Sequence, residues 1–248
     1  MKTKALLFSF ALFSINSFAQ TTWQKLFSKK STDCIRYVQS VPGQGYVAAG
    51  YTANFNANDT NAYVVMLNFD GDTIWTKEFG SIRKDLLYKI RSTVDGGYIV
   101  CGYSSSYGAG SDDAYYAKLN NIGEMQWFKT YGTSGKDRAQ DIIETSDGGF
   151  AMVGYTSSPG ANYFDAFFVK TNAQGDTVFT KVYGGISYDD ANTFKQTSDG
   201  GYILAGQTYS YGAGNGDIWV IKINSVGDSL WAKVHGTPLT DNADDIQL

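Results

Sequence analysis

The sequence has 248 residues, with 20 Lys and Arg against 24 Asp and Glu, one His, two Cys, three Pro, 28 Gly and a net charge of −4. Aromatics reach 15% while charged residues hold at 18%, a balance that excludes both a disordered chain and a helical bundle. Of the acids 21 are Asp and 3 are Glu; Asp favours turns and Glu favours helix interiors, so most carboxylates are expected in the turns of an all-β protein.

The first 19 residues read as an export signal. Lys2 and Lys4 precede an apolar core of 11 residues from Ala5 to Ile15, and Ser17-Phe18-Ala19 supplies a small-x-small site, so cleavage is expected before Gln20. The core is well short of the ~20 residues that span a bilayer, so no membrane insertion is expected once the signal is removed. Cleavage leaves a net charge of −6, which disfavours nucleic-acid binding because that requires a basic stripe. Nothing in the spacing of Cys34 and Cys101 demands a bond, and both are read as plain core or turn residues.

The remainder, 20–248, is governed by a repeat. Trp23, Trp75, Trp127, Phe179 and Trp231 follow one another at intervals of 52 residues, and each opens a unit whose last copy is truncated. Two residues after each aromatic stands Lys25, Lys77, Lys129, Lys181 or Lys233. Ten after it stands Asp33, Asp85, Asp137, Asp189 or Asp241. Self-similarity this strict is the signature of a repeat architecture.

Each unit parses into four short strands, A to D. In the third, Gln140–Thr145 is strand A and Gly149–Thr156 is strand B, joined at Ser146-Asp147-Gly148, where Asp-Gly between apolar runs predicts a type I′ hairpin turn. Asp165–Asn172 is strand C and Thr177–Tyr183 is strand D. Strand C is apolar on both faces and should be buried on both, whereas the repeated lysine of strand D suits a protected edge. The predicted fold is therefore an all-β β-propeller of four-stranded antiparallel blades. Four blades span Asp33–Phe79, Asp85–Tyr131, Asp137–Tyr183 and Asp189–His235, with part of a fifth, so the chain reads as an incomplete ring and a piece of a longer protein. A parallel β-helix ranks lower, since its coils are shorter and seldom hold two tight hairpins.

The stretches SDGGY and G-[DE]-x-x-W, repeated from residue 23 to residue 248, resemble tandem repeats of secreted bacterial surface proteins commonly exported by the type IX system. The second stretch also resembles the tryptophan-docking turn of quinoprotein-type propellers. The resemblance implies a secreted or cell-surface scaffold used for binding or adhesion, with a glycan or a surface protein as partner. Some such proteins are labelled glucanase-like, so a polysaccharide hydrolase or a carbohydrate-binding module is the alternative it implies.

Candidate chemistry is sparse. His235, the one histidine, occupies a column otherwise filled by aromatic rings and reads as a substitute for one. Fourteen of the 21 Asp fall in repeat columns, where a side-chain oxygen can accept a backbone N–H, and a catalytic group is needed once rather than once per blade. No catalytic residue is assigned. The columns Asp33–Asp241 and Asp113, Asp165 and Asp217 are expected to ring one mouth of the propeller, where carboxylates could hold Ca²⁺; no other cofactor is expected. Asp59, Asp112, Asp141, Glu78 and Glu144 break the repeat and would have to supply any glycosidase pair. Tyr107 and Tyr211, in the Tyr-Gly-Ala-Gly loops between strands B and C, are expected at the surface, either stacking on a sugar beside Asp113, Asp165 and Asp217 or anchoring their own loops.

Overall fold

The computed structural model describes residues 32–53, 59–158, 161 and 163–248. The export segment, Trp23 and Lys25 lie outside these residues. The described residues form sixteen strands and no helix. The first blade holds β1 (Thr32–Val41), β2 (Gly45–Ala53), β3 (Thr60–Leu67) and β4 (Thr73–Phe79). The second holds β5 (Asp85–Ser92), β6 (Tyr98–Ser104), β7 (Asp113–Leu119) and β8 (Met125–Tyr131). The third holds β9 (Asp137–Glu144), β10 (Phe150–Thr156), β11 (Asp165–Thr171) and β12 (Thr177–Tyr183). In the fourth, a short β13 (Thr193–Gln196) leads to β14 (Tyr202–Thr208), β15 (Asp217–Ile223) and β16 (Ser229–His235). Each blade is an antiparallel sheet with its strands in chain order. β5 lies against β1 and β9, and β9 against β13, so the first strands gather on the inside of an incomplete β-propeller.

The core lies between blades. Val64 and Met66 pack with Leu87, Ile90, Tyr98 and Val100 across the first gap. Ile99, Cys101 and Tyr116 meet Ile142, Met152 and Phe167 across the second. Ala151, Val153 and Phe168 meet Phe194, Leu204 and Trp219 across the third. Strands β7 and β11, with a neighbour on either side, are buried along their whole length, as apolar strands with two covered faces must be. β15 instead alternates buried and half-buried residues, because the fourth blade has no complete fifth blade beside it among the described residues.

Tryptophan docking joins the blades at their outer edge. A Cβ on Gly175 would sit 2.7 Å from the Trp127 ring, and one on Gly123 would sit 2.6 Å from that of Trp75, so each tryptophan rests on a bare glycine of the next blade's C–D turn. Trp127 also meets Phe150 edge-on at 5.7 Å. The strand D lysine then reaches the same turn: Lys129 pairs with Asp176 and Lys181 with Asp228, both at 2.8 Å. Among the described residues Trp231 has no such neighbour, and it is 42% exposed. Trp127→Ala is therefore expected to cost about 2 kcal/mol, the half-buried end of the large-to-small range, and Trp231→Ala less than about 1 kcal/mol. Urea unfolding of the two variants checks the contrast; equal losses would remove the docking argument.

The A–B turns differ from the type I′ expectation. Gly148 N–H returns to Thr145 O at 2.9 Å and Gly148 carries the positive φ of 79°, a four-residue turn whose last residue is a left-handed glycine. Asp147 is held by the Thr145 hydroxyl at 2.6 Å, by Gly149 N–H at 3.1 Å and by the Lys170 ammonium. Asp95 with Lys118 and Asp199 with Lys222 repeat the pairing. Burial pulls the Asp95 carboxyl up, yet Lys118, Thr93 and Gly97 together outweigh it and hold it at about 2; Thr145, Lys170 and Gly149 hold Asp147 at about 2 in the same way. In the first blade Gly43 and Met66 stand at these two positions, so both charges are missing together.

Carboxyls held below their unfolded range stabilise the fold above about pH 4, and that contribution is lost as the pH falls toward 2. Asp190 runs the other way. Burial pushes it up to about 6, against the opposing hydrogen bonds from Gln207 N–H and the Tyr188 hydroxyl. Its contribution is complete below about pH 4 and is lost as the pH rises through 6. These groups together predict a melting temperature that rises from pH 7 to about pH 4.5 and falls below pH 4. Asp190→Asn should flatten the first limb and Lys118→Met should soften the second in a calorimetric pH series.

Candidate functional site

Strand A holds several columns that vary in residue type, among them positions 34, 36 and 37 and their equivalents. Position 36 and its equivalents at intervals of 52 carry Arg36, Tyr88, Gln140, Asn192 and Asp244: five different residues, all of them polar or polar-tipped. The pairing explains their placement. In the first blade Ile35 faces Gly50 and Tyr37 faces Ala49, so Arg36 is an extra residue in the strand. Tyr88 is skipped between Leu87 and Lys89, and Gln140 between Ala139 and Asp141. The first strands of the first three blades thus each carry a β-bulge, which bends the strand and re-aims the inserted side chain, while Asn192 immediately precedes the short β13 of the fourth blade. Opposite these bulges stand Gly50, Gly102 and Gly154, because the first strand's backbone closes in where a Cβ would sit, and Gly206 of the fourth blade likewise meets the backbone of Asp190 and Ala191.

The three bulged residues converge with their equivalents Asn192 and Asp244. Arg36, Tyr88, Lys89, Gln140, Asn192 and Asp244 line one cleft of about 470 Å³, a size that suits a small ligand. Its walls are polar and differ in charge. On one side the Arg36 guanidinium lies 5.7 Å from the Tyr51 ring centroid and 5.9 Å from that of Tyr88, and the Lys89 ammonium lies 4.4 Å from that of Tyr37. On the other, Asn192 Nδ2 donates to Asn242 Oδ1 at 3.0 Å and to Ala243 O at 3.2 Å, while Asn242 Nδ2 donates to Asp244 Oδ1 at 2.8 Å.

Most carboxylates of the two acidic columns are buried in the scaffold and not displayed to a ligand. Asp85, Asp137 and Asp189 are buried. Asp137 accepts from the Thr156 hydroxyl, from Ser158 Oγ at 2.7 Å and from Thr133 N–H at 3.3 Å; Asp85 and Asp189 hold the equivalent Ser104 with Ser106 and Thr208 with Ser210. These bonds tie the D–A loop, the end of strand B and the B–C loop to the start of strand A. Asp33 is half-buried, and Asp241 accepts from Thr237 N–H at 2.6 Å in the fifth unit. Asp113, Asp165 and Asp217 are buried as well, at 1%, 3% and 1% exposure. Asp113 accepts from Gly110 N–H at 2.8 Å and Asp217 from Ala213 N–H at 3.1 Å, so both fasten their own B–C loops and present no carboxylate to a ligand. Burial raises the Asp113 carboxyl, and the nearby Asp137 adds to the rise. Among the described residues no group of three or more His, Cys, Asp or Glu is placed to hold a metal ion.

Tyr107 and Tyr211 are 37% and 48% exposed. The Tyr211 hydroxyl donates to Gly184 O at 2.9 Å and the Tyr107 hydroxyl reaches Gly80 O at 3.4 Å, while their rings lie 6.0 Å from Trp219 and 5.2 Å from Phe128. Both fold back as loop anchors with one face open. Of the acids that break the repeat, Asp141 is fully buried against Arg91, Glu144 accepts from Val94 N–H at 2.7 Å, Asp112 pairs with Arg138, and Glu78 accepts from Asn61 at 2.8 Å. Cys34 and Cys101 are free thiols.

No family model matches the sequence, and no curated protein matches it. Among solved structures the chain is similar to a protein of unknown function from Bacteroides caccae, at 13% identity and a TM-score of 0.49, over 81% of this chain and 67% of that one. It is also similar to a eukaryotic initiation factor, at 15% identity and a TM-score of 0.39, over 81% of this chain and 43% of that one.

Proposed function

We propose that this protein is an exported, non-enzymatic binding module that holds a polar ligand in the axial cleft of its propeller. One observation carries the reading: position 36 and its equivalents, set in a bulge in the first three blades, line one cleft and carry a different polar residue in each unit. A scaffold position repeats because every blade needs it, whereas a binding site needs different groups at different places. The basic, apolar and small-residue regions of residues 1–19 support export, and the tandem SDGGY units support kinship with secreted bacterial surface repeats, with adhesion as the role.

The competing reading is a polysaccharide hydrolase. A glycosidase needs two carboxyls facing each other across the sugar. Among the described residues Asp244 is the one carboxylate lining the cleft, and Asp141 and Glu144 are engaged in holding blades together. A glycan array with the full chain and with Gln140→Trp, which fills the cleft, tests the module. Retention by the wild type that is lost in the variant at an unchanged melting temperature is the expected result. Retention indifferent to Gln140→Trp, or release of reducing sugar, would overturn it. The export reading is tested separately by the mass of the mature protein, which should begin at Gln20.

A further inference from the structure

We infer that the axial cleft selects a sugar bearing a carboxylate, a uronate-type residue, whose acid group faces Arg36 and Lys89 and whose hydroxyls face Asn192 and Asp244. The inference rests on the reading of the cleft as a binding site and adds the class of ligand.

Two features of the cleft set the direction. Arg91 and Arg138 have carboxylate partners in Asp141 and Asp112. Arg36 and Lys89 have none among the described residues, although the chain has more acids than bases. Each is instead held over tyrosine rings, which fix a cation without neutralising it. A planar guanidinium beside an ammonium is a receptor for a carboxylate, the first by paired N–H donors and the second as a point charge.

The opposite wall is built of acceptors. Both protons that Asn192 Nδ2 offers are committed to Asn242 and Ala243, which leaves its Oδ1 to receive. Asp244 is oriented through Oδ1 by Asn242 and keeps Oδ2 to receive. Acceptors on one wall call for hydroxyl donors on the ligand, and unpaired cations on the other call for an anion. Gln140 sits between the walls with an amide that can do either, and the half-buried Tyr88 offers ring surface on which a pyranose can stack. A ring with an acid at one end and hydroxyls at the other satisfies all of these. A neutral sugar leaves Arg36 and Lys89 unanswered, and a bare phosphate leaves the acceptor wall unanswered.

The test uses tetramers of galacturonate, glucuronate and mannuronate, each as the free acid and as the methyl ester, which keeps every hydroxyl and removes the charge. Isothermal titration with the full chain should show at least one free acid binding, with its ester at least tenfold weaker and Arg36→Gln or Lys89→Gln weakening the acid by a similar factor. An ester that binds as well as its acid, or indifference to both substitutions, overturns the carboxylate inference and leaves the cleft as a site for neutral glycans. Failure of all three acids overturns the inference as well. If a neutral glycan is retained and Gln140→Trp abolishes that retention, the binding module survives without it; if nothing is retained, both fall.

Discussion

Replacing Asp141 with alanine is expected to destabilise the protein by about 3–5 kcal/mol, the range measured when one partner is removed from a buried ion pair. Arg91 donates to it from Nε at 3.2 Å and from Nη2 to both oxygens at 2.9 Å, and the carboxylate also receives Ile142 N–H at 2.9 Å and Thr193 Oγ1 at 3.1 Å. Arg91 belongs to the second blade, Asp141 to the third and Thr193 to the fourth, so one carboxylate joins three blades near the axis. Alanine leaves the guanidinium with only the Tyr37 hydroxyl at 3.3 Å and the face of that ring at 5.4 Å. Part of the loss comes from stranding a charge, so Arg91→Met combined with Asp141→Leu should recover most of it. Urea denaturation of the two single variants and the double decides the matter. A loss below about 1 kcal/mol for Asp141→Ala would mean that the pair is solvated and the blades are held elsewhere. The same residue separates structure from catalysis: a scaffold role predicts lost stability, a hydrolytic role predicts an intact fold without activity.

The repeat made the blades legible. Strand D of the third unit runs over Thr177–Tyr183 as expected, because its aromatic-lysine-aromatic rhythm, Phe179, Lys181 and Tyr183, suits an edge strand docking outward. The aspartate columns could be assigned to the scaffold by chemistry alone, since a group present in every blade serves what every blade needs. Strand A was harder. It begins at Asp137 and not at Gln140, because an inserted residue breaks the two-residue alternation and divides the strand into halves that each look too short. The signal was present in two places: a glycine that recurs within strand B, and a polar position that refuses to repeat. Neither is legible without the pairing that sets them opposite each other. The Arg91–Asp141 bond joins residues 50 apart whose equivalents Gln39 with Lys89 and Ile143 with Thr193 form no such pair, so comparison with those units could not reveal it.

Gly154→Ala is expected to cost about 3 kcal/mol, the upper part of the overpacking range, although nothing in its own backbone conformation forbids a side chain. Where the third blade's first strand bulges at Gln140, its backbone swings toward β10, and a Cβ on Gly154 would overlap the Arg138 carbonyl. The obstacle is backbone on both sides, so no rotamer change relieves it. Gly148 makes the opposite case: it has open space around its missing Cβ but a φ of 79°, so asparagine, which tolerates that region, should be accepted there at little cost. Asparagine at Gly154 should be as damaging as alanine. The bulge also aims Gln140 into the cleft, so Gly154→Ala should weaken ligand binding under conditions in which the variant remains folded, whereas Gly148→Asn should leave binding unchanged. Paired unfolding and titration curves for Gly154→Ala and Gly148→Asn test this directly. If Gly154→Ala unfolds within about 1 kcal/mol of the wild type, the close approach is not real, and the bulge that builds the cleft loses its support.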